Sequence, residues 1–413
     1  MIEGHDILCF APGPWDDIWR NRHQLMSRLA RANQVLYVEP WPELRPTLRR
    51  LRHGQVGLGD LKPPRLRRIS AGLSVFRPAT WAPRATRVPV RAVTDAVFMA
   101  SLRRAIHALD LQRPILWLFL PEMDIFVGRF GEKLVIYHIV DEYSGYTGIS
   151  AGWRPTLQRA EERLASRADL VVVTSPELLQ RKKGLNPNTV LVPNAVDYEA
   201  FAGACGSGQP APRELADCPR PVAGYVGAIN DKLDLPLLAR TAAEASRWTL
   251  VLVGPVIVQS PDGQQALDQL RSLPNVKFVD ARPVEDVPRY VAACDVCLLP
   301  YRIIEWTKHI DSLKLYEYLA CAKPVVATDV PAARRAGDVV EIAPPAETLT
   351  ATMEHALSSD NPDVRARRRI IASQNTWGIR VEQLSAAIES TLRTRLEPAR
   401  EHSPGAANPA AVK

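Results

Sequence analysis

The stretch HIDSLKLYEYLACAKPVVATDVP, His309 to Pro331, decides how this 413-residue chain reads. Its first half carries Leu313, Tyr316 and Leu319–Ala320 at helical spacing, so one face turns to a core. Its second half, Pro324–Thr328, is a short apolar run and reads as a strand. Glu317 falls in the middle of the helix. Spacing alone leaves it three roles: a solvated helix face, an ion pair with Lys314, or contact with a ligand.

The same alternation of strand and helix extends in both directions. Towards the N-terminus of this half, strands are expected at Val222–Val226, Trp248–Val253, Val276–Val279 and Asp295–Leu299. Helices are expected at Leu235–Ala245, Gly263–Leu273, Val284–Ala293 and Ser312–Ala320, with a last one at Thr376–Leu396. The segment from Phe201 to Pro221 is rich in Gly, Pro, Ala and Ser and reads as a linker. Before it lies another series, with strands at Asp6–Ala11, Gln34–Val38, Ile115–Leu120, Leu134–Ile139 and Leu170–Thr174. Helices Ile18–Ala32, Val93–Leu109 and Arg154–Ser166 separate them. Repeated βα units build parallel sheets. The expected fold class is α/β, with two Rossmann-like doubly wound domains facing a cleft. Ligands of such sheets bind beyond the carboxyl ends of the strands.

Composition narrows the class further. Hydrophobic residues make up 46% and charged residues 23%, which excludes wholesale disorder. No apolar run approaches the ~20 residues that span a bilayer. Glu3 and Asp6 stand where a signal peptide needs cations, so a cytoplasmic location is expected. Six cysteines, at 9, 205, 218, 294, 297 and 321, are too sparse for a disulfide scaffold and read as buried thiols. Without H-E-x-x-H or Asp-x-Asp, no metal and no cofactor is expected.

The net charge of +7 is uneven. Between Arg45 and Arg91 stand twelve Lys and Arg against the single acid Asp60, interleaved with Leu48, Leu51, Leu66, Phe76 and Trp81. Such a mixture suits an anionic membrane surface. A solvated loop region and a polyanion contact are the competing readings. No nucleic-acid motif accompanies the patch, so no nucleic-acid partner is expected.

KLYEYLACAKPVV resembles the nucleotide-binding motif of GT-B glycosyltransferases, above all the retaining family 4 (glycosyl transferases group 1) and related cell-envelope polysaccharide transferases. Four other segments match that family in order: VPNAVDYEAF (Val192–Phe201), GYVGAINDKLDLPLL (Gly224–Leu238), LPNVKFVDARPVEDVPRYVAACDVCLLPY (Leu273–Tyr301), and the helix after Trp377. The resemblance implies a metal-independent transfer from a nucleotide-diphosphate sugar to a hydroxyl of a glycan or lipid-linked acceptor. A sugar-nucleotide epimerase on the same fold and a non-catalytic binding homologue are the alternatives. It also implies an acceptor domain at 1–200, a linker at 201–220, a donor domain at 221–375 and a crossover helix at 376–398. A disordered tail is expected at 399–413.

The resemblance assigns residues as well. Glu317 matches the glutamate that grips the ribose hydroxyls, a bidentate role suited to a carboxylate. Gly227 matches the backbone turn that faces the diphosphate, and Lys232 the base that neutralises it. Lys314 and Asp311 are further donor-side candidates. His309 stands where the family places a second glutamate, eight positions before Glu317, and becomes a catalytic candidate with His138 and Asp141. Asp141 and His138 sit at the end of the strand in VIYHIVDEY, and Glu122 at the end of another. Gly13, Asp16, Asp17 and Arg22, from APGPWDDIWRNRHQL, are expected on the acceptor side. Helix capping is the competing role for the two aspartates.

Overall fold

The computed structural model describes residues 1–53, 57–85, 89–146, 149–206, 208, 210–345 and 347–396. The tail 399–413, the last two residues of the expected crossover helix and Arg87 of the basic segment lie outside the described residues.

The first lobe holds strands β1 (Asp6–Phe10), β2 (Gln34–Val38), β3 (Arg65–Ser70), β4 (Leu73–Arg77), β5 (Ile115–Leu118), β6 (Leu134–Ile139), β7 (Leu170–Val173) and β8 (Thr189–Leu191). Among the described residues they form one sheet in the order β3-β4-β2-β1-β5-β6-β7-β8, parallel except for β3 against β4. Helices α1 (Asn21–Leu29), α2 (Leu44–Arg52), α3 (Val90–Ala108), α4 (Arg154–Arg167) and α5 (Pro176–Lys182) connect them. The central strands are buried along their whole length, ILWL and LVIYHI included. That is why they read as continuous apolar runs rather than alternating ones.

The second lobe follows the same plan. Its helices are α6 (Tyr198–Gly206), α7 (Arg213–Ala216), α8 (Leu235–Glu244), α9 (Pro261–Ser272), α10 (Val287–Ala293), α11 (Leu313–Ala320), α12 (Pro331–Arg335), α13 (Thr350–Ser358) and α14 (Pro362–Ser373). Its strands are β9 (Val222–Val226), β10 (Ile229–Asn230), β11 (Thr249–Val253), β12 (Val256–Ile257), β13 (Val276–Val279), β14 (Val296–Leu299), β15 (Val325–Ala327) and β16 (Glu341–Ile342). The main sheet runs β13-β11-β9-β14-β15-β16, all parallel, and β10 pairs with β12 beside it. Pro at the first turn and a Ser, Asp or Asn cap start several helices, as at Asp234, whose carboxylate accepts from Leu237 N at 2.9 Å.

The lobes are joined twice. Val196 N donates to Asn375 O and Trp377 N to Val196 O, so the outgoing and returning chains run side by side. The last helix, α15 (Trp377–Leu396), then returns to the first lobe. It buries Trp377, Val381, Leu384 and Ile388 against the sheet face that also holds α1.

Two expectations need correction. The segment 201–220 contains α6 and α7, and Phe201 and Leu215 are buried in the core of the second lobe. Its Gly- and Pro-rich composition hid two apolar anchors. The basic segment 45–91 carries regular structure as well: α2, and the hairpin β3–β4. Helix α2 buries none of its residues fully, and Leu48, Leu66, Ile69, Trp81 and Val90 stay exposed.

Candidate functional site

The loops after β6, β7 and β8 of the first lobe meet the segment before α11 of the second: Tyr146 lies against Trp306, Ser175 donates to His309 O at 2.7 Å and Asn194 N to Asp311 at 2.7 Å, which bounds a crevice between the lobes. Leu315, Tyr318, Leu319 and Ala320 fix α11 in the core. The Tyr318 hydroxyl accepts from Val226 N at 3.0 Å and so ties the helix to β9. Lys314 and Glu317, three residues apart, share the other side and are half-buried. Tyr301 bonds Ser312 at 2.9 Å, which takes the Ser312 hydroxyl away from the start of α11 and leaves its first turn without a side-chain cap.

Gly227 follows β9 with φ +146°, a conformation that L side chains rarely adopt. A Cβ there would overlap Cε and Nζ of Lys314, so the lysine runs directly over the glycine. Gly227 N is spent on Val253 O at 2.7 Å. Its contribution is therefore space for Lys314, and its own N–H is not offered to a ligand. Lys314 Nζ stands 5.6 Å from the centre of the Tyr225 ring, and Lys232 Nζ 5.2 Å from that of Tyr301.

The electrostatics tie these groups together. Burial pushes Lys232 down to about 7, the Lys314 charge pushes it the same way, and Asp141 opposes both. Burial lowers Lys314 too, against the pull of Glu317, and raises Glu317 against the pull of Lys314. The charge of Arg20, at the N-cap of α1, is felt at Lys232, Lys314, Asp141 and Tyr225. Three cations from two lobes thus converge where water is scarce. Mutual repulsion and desolvation of this kind are relieved by a bound polyanion.

Asp141, past the end of β6, faces the cluster from the first lobe. Burial raises its carboxyl, while the Tyr146 hydroxyl (2.8 Å) and Lys232 hold it down. The loop is anchored behind it: Lys182 Nζ bridges Glu142 at 2.8 Å and Glu161 at 2.7 Å. Tyr146 packs tilted against Trp306 of the second lobe, ring centres 4.6 Å apart and planes at 48°.

Other expected site residues are engaged with neighbouring groups. Arg22 is buried and donates to the Tyr37 hydroxyl at 2.8 Å, and that hydroxyl donates to Gly13 O at 2.8 Å. Asp16 pairs with Arg67 at 2.6 Å, and Asp17 caps Ile18 N at 2.8 Å. These four hold the loop before α1 in shape, while Arg20 from the same loop reaches the crevice. In the sequence nothing local sets Arg20 apart from its polar neighbours Asp16, Asp17, Arg22 and His23. Asp311, expected beside the donor, is taken up by Asn194 N (2.7 Å), Tyr316 (3.2 Å) and Arg335 (3.5 Å). It clasps the lobes together, and burial pushes its carboxyl up to about 6. His309 bonds its ring to Glu305 O at 2.9 Å and accepts from Ser175 at its own carbonyl, 2.7 Å away. It sits at the contact between lobes, its ring turned to its own loop. Glu122 and Asp124 line a cavity of about 700 Å³ at the carboxyl edge of the first lobe, walled by Leu48, Val90 and Trp153.

His138 is the clearest departure. It is wholly buried, stacked on Phe119 at 5.0 Å, and neither ring nitrogen has a partner. Burial pushes it down to about 3. The unfolded chain takes up a proton near pH 6.5 that the native state refuses, so this residue costs stability as pH falls from ~6.5 towards 3. His138→Leu is expected to raise stability by about 1 kcal/mol near pH 7, more in acid, and to leave transfer activity intact. Thermal melts at about pH 7 and 5, with an activity assay, check this; lost activity in a well-folded variant would return His138 to the reaction.

Comparison with known proteins places this geometry in context. Residues 220–359 match the family model described as Glycosyl transferases group 1. The chain is 25% identical over 400 residues to a putative teichuronic acid biosynthesis glycosyltransferase, TuaH, of Bacillus subtilis, covering 92% of this chain and 96% of that protein. Among solved structures it is similar to sucrose-phosphate synthase of Thermosynechococcus elongatus, with a TM-score of 0.68, 17% identity, and coverage of 94% of this chain and 100% of that one. HepE of Anabaena, solved with UDP and glucose, gives a TM-score of 0.64 at 17% identity and the same coverage.

Proposed function

We propose, for a chain that is a glycosyltransferase of the GT-B fold with a group 1 second lobe, that it moves a sugar from a nucleotide diphosphate to an acceptor hydroxyl. The observation that carries this is the meeting of Glu317 with Lys314, Lys232 and Arg20 in one crevice. Glu317 would accept both ribose hydroxyls of the nucleotide. The diphosphate would lie across Gly227, against the uncapped first turn of α11, with the three cations around it. As the glycosidic bond breaks, negative charge grows on the departing phosphate. Preplaced cations in a water-poor site stabilise that charge more than the ground state. Because these cations supply the neutralisation, transfer is expected without added metal.

The acceptor side is the first lobe. Asp141, with its raised carboxyl, is placed to orient or deprotonate the incoming hydroxyl. The cavity beside Glu122 and Trp153 offers carboxylates for sugar hydroxyls and an apolar wall. TuaH-like polysaccharide synthesis fits such an acceptor, glycan or lipid-linked. The exposed apolar and basic surface of α2 and β3 would present it at an anionic membrane from the cytoplasmic side. Retention of anomeric configuration is proposed on the family resemblance, and NMR of the product decides it.

Isothermal titration with UDP, GDP and dTDP in EDTA tests the donor site. One of them is expected to bind. Near pH 8 Lys232 is largely neutral and a bound diphosphate restores its charge, so binding takes up close to one proton, seen as a heat that changes with buffer. Affinity should therefore fall as pH rises past about 7. Absence of binding by all three, or binding that needs a divalent ion, overturns the proposal.

A further inference from the structure

A second cavity, about 480 Å³, lies at the far pole of the second lobe, beneath the amino ends of β14 and β15. Cys205, from the end of α6, and Cys321, the C-cap of α11, both line it. So do Arg289, Lys323, Arg365 and Arg369. Its carboxylates are already engaged: Asp295 pairs with Arg220, and Asp360 with Arg365 at 2.7 Å and Arg368 at 2.5 Å. What remains is a basic pocket around two thiols.

Both thiols face this space. Cys321 is buried and donates its S–H to Phe201 O at 3.2 Å, while Cys205 is half-buried. The neighbouring Cys321, with help from Lys323 and Arg369, holds the Cys205 thiol below its usual range against burial. Cys205, then burial, pushes Cys321 up. A cysteine with thiolate character beside cations in an open cavity is a nucleophile, and a second thiol lining the same cavity is placed to resolve an adduct.

We propose that this cavity is a thiol-modification site that takes an anionic low-molecular-weight disulfide. The carboxylates of the ligand rest on Lys323 and Arg369. Cys205 Sγ attacks one ligand sulfur; the ligand S–S bond breaks, one thiolate leaves and is protonated by water, and a mixed disulfide remains on Cys205. Cys321 then gives its proton to water and attacks Cys205 Sγ, expelling the second thiol. The ligand disulfide is reduced to two thiols, and the protein gains a Cys205–Cys321 bond. That bond ties α6 to the end of the helix that carries Lys314 and Glu317. The proposal does not depend on the donor site.

The test incubates the full chain at about pH 7.5 with oxidised glutathione, or with cystamine as the cationic disulfide, and follows each cysteine by peptide mass spectrometry. With glutathione the wild type is expected to end as the Cys205–Cys321 disulfide. Cys321→Ser should stop at glutathione on Cys205. Arg369→Glu should slow the reaction roughly tenfold, and cystamine should react more slowly than glutathione. If Cys218, also half-buried, takes glutathione as fast as Cys205, or cystamine reacts at least as fast as glutathione, the assignment is wrong.

Discussion

Glu317→Ala is expected to weaken nucleoside-diphosphate binding by about two to four orders of magnitude. Two hydrogen bonds from hydroxyls to a carboxylate are worth about 1.5–3 kcal/mol each, and each 1.4 kcal/mol is tenfold in affinity. Glu317→Gln keeps one good acceptor and should lose roughly tenfold. Fold stability should change little. The carboxylate is half-buried with its pKa raised, so its charge costs free energy in the unliganded protein, and Leu315, Tyr318 and Leu319 hold α11 without it. Titration calorimetry beside thermal melts separates the two effects. Binding by Glu317→Ala within twofold of wild type would remove the nucleotide from this crevice.

Gly227→Ala should act at least as strongly, for a different reason. At φ +146° any L side chain is strained by about 1–3 kcal/mol, and here the new methyl also meets the Lys314 stem. Lys314 must leave its place over the β9 turn, which moves one of three cations away from the proposed phosphate position. We expect donor affinity to fall by about 10²-fold or more, with a melting temperature several degrees lower. Gly227→Ala combined with Lys314→Ala removes the overlap but not the backbone strain. The double variant should recover part of the lost stability and none of the affinity. If it recovers affinity instead, Gly227 acts by shape alone and Lys314 does not hold phosphate.

Much of the fold was legible because burial on both faces of a parallel strand leaves a mark in sequence. β2, β6 and β9 stand where their apolar runs put them. The hairpin β3–β4 was not legible, since β3 is an exposed edge written RLRRIS, with charges where a core strand has valines. α6 and α7 were hidden by glycines and prolines around two buried side chains. In the site, Glu317, Lys314 and Lys232 were marked by a motif local to each. Arg20 was not, because Tyr225, Lys232 and Lys314 belong to the other lobe and lie more than two hundred residues away in the chain. His138 looked catalytic from its place at a strand end, yet its side chain points to the face packed with Phe119 and Trp117.

The order of βα units, and the helix that sets Lys314 and Glu317 on one side, follow from periodicity that the chain carries locally. Which charged groups share a dry crevice does not, since charge interactions fall with distance in space and take no account of separation along the chain. Closing two lobes against each other decides that Arg20 and Asp141 meet Lys232 and that Asp311 becomes a clasp, while packing within the first lobe, against Trp117 and Phe119, seals His138 in a core.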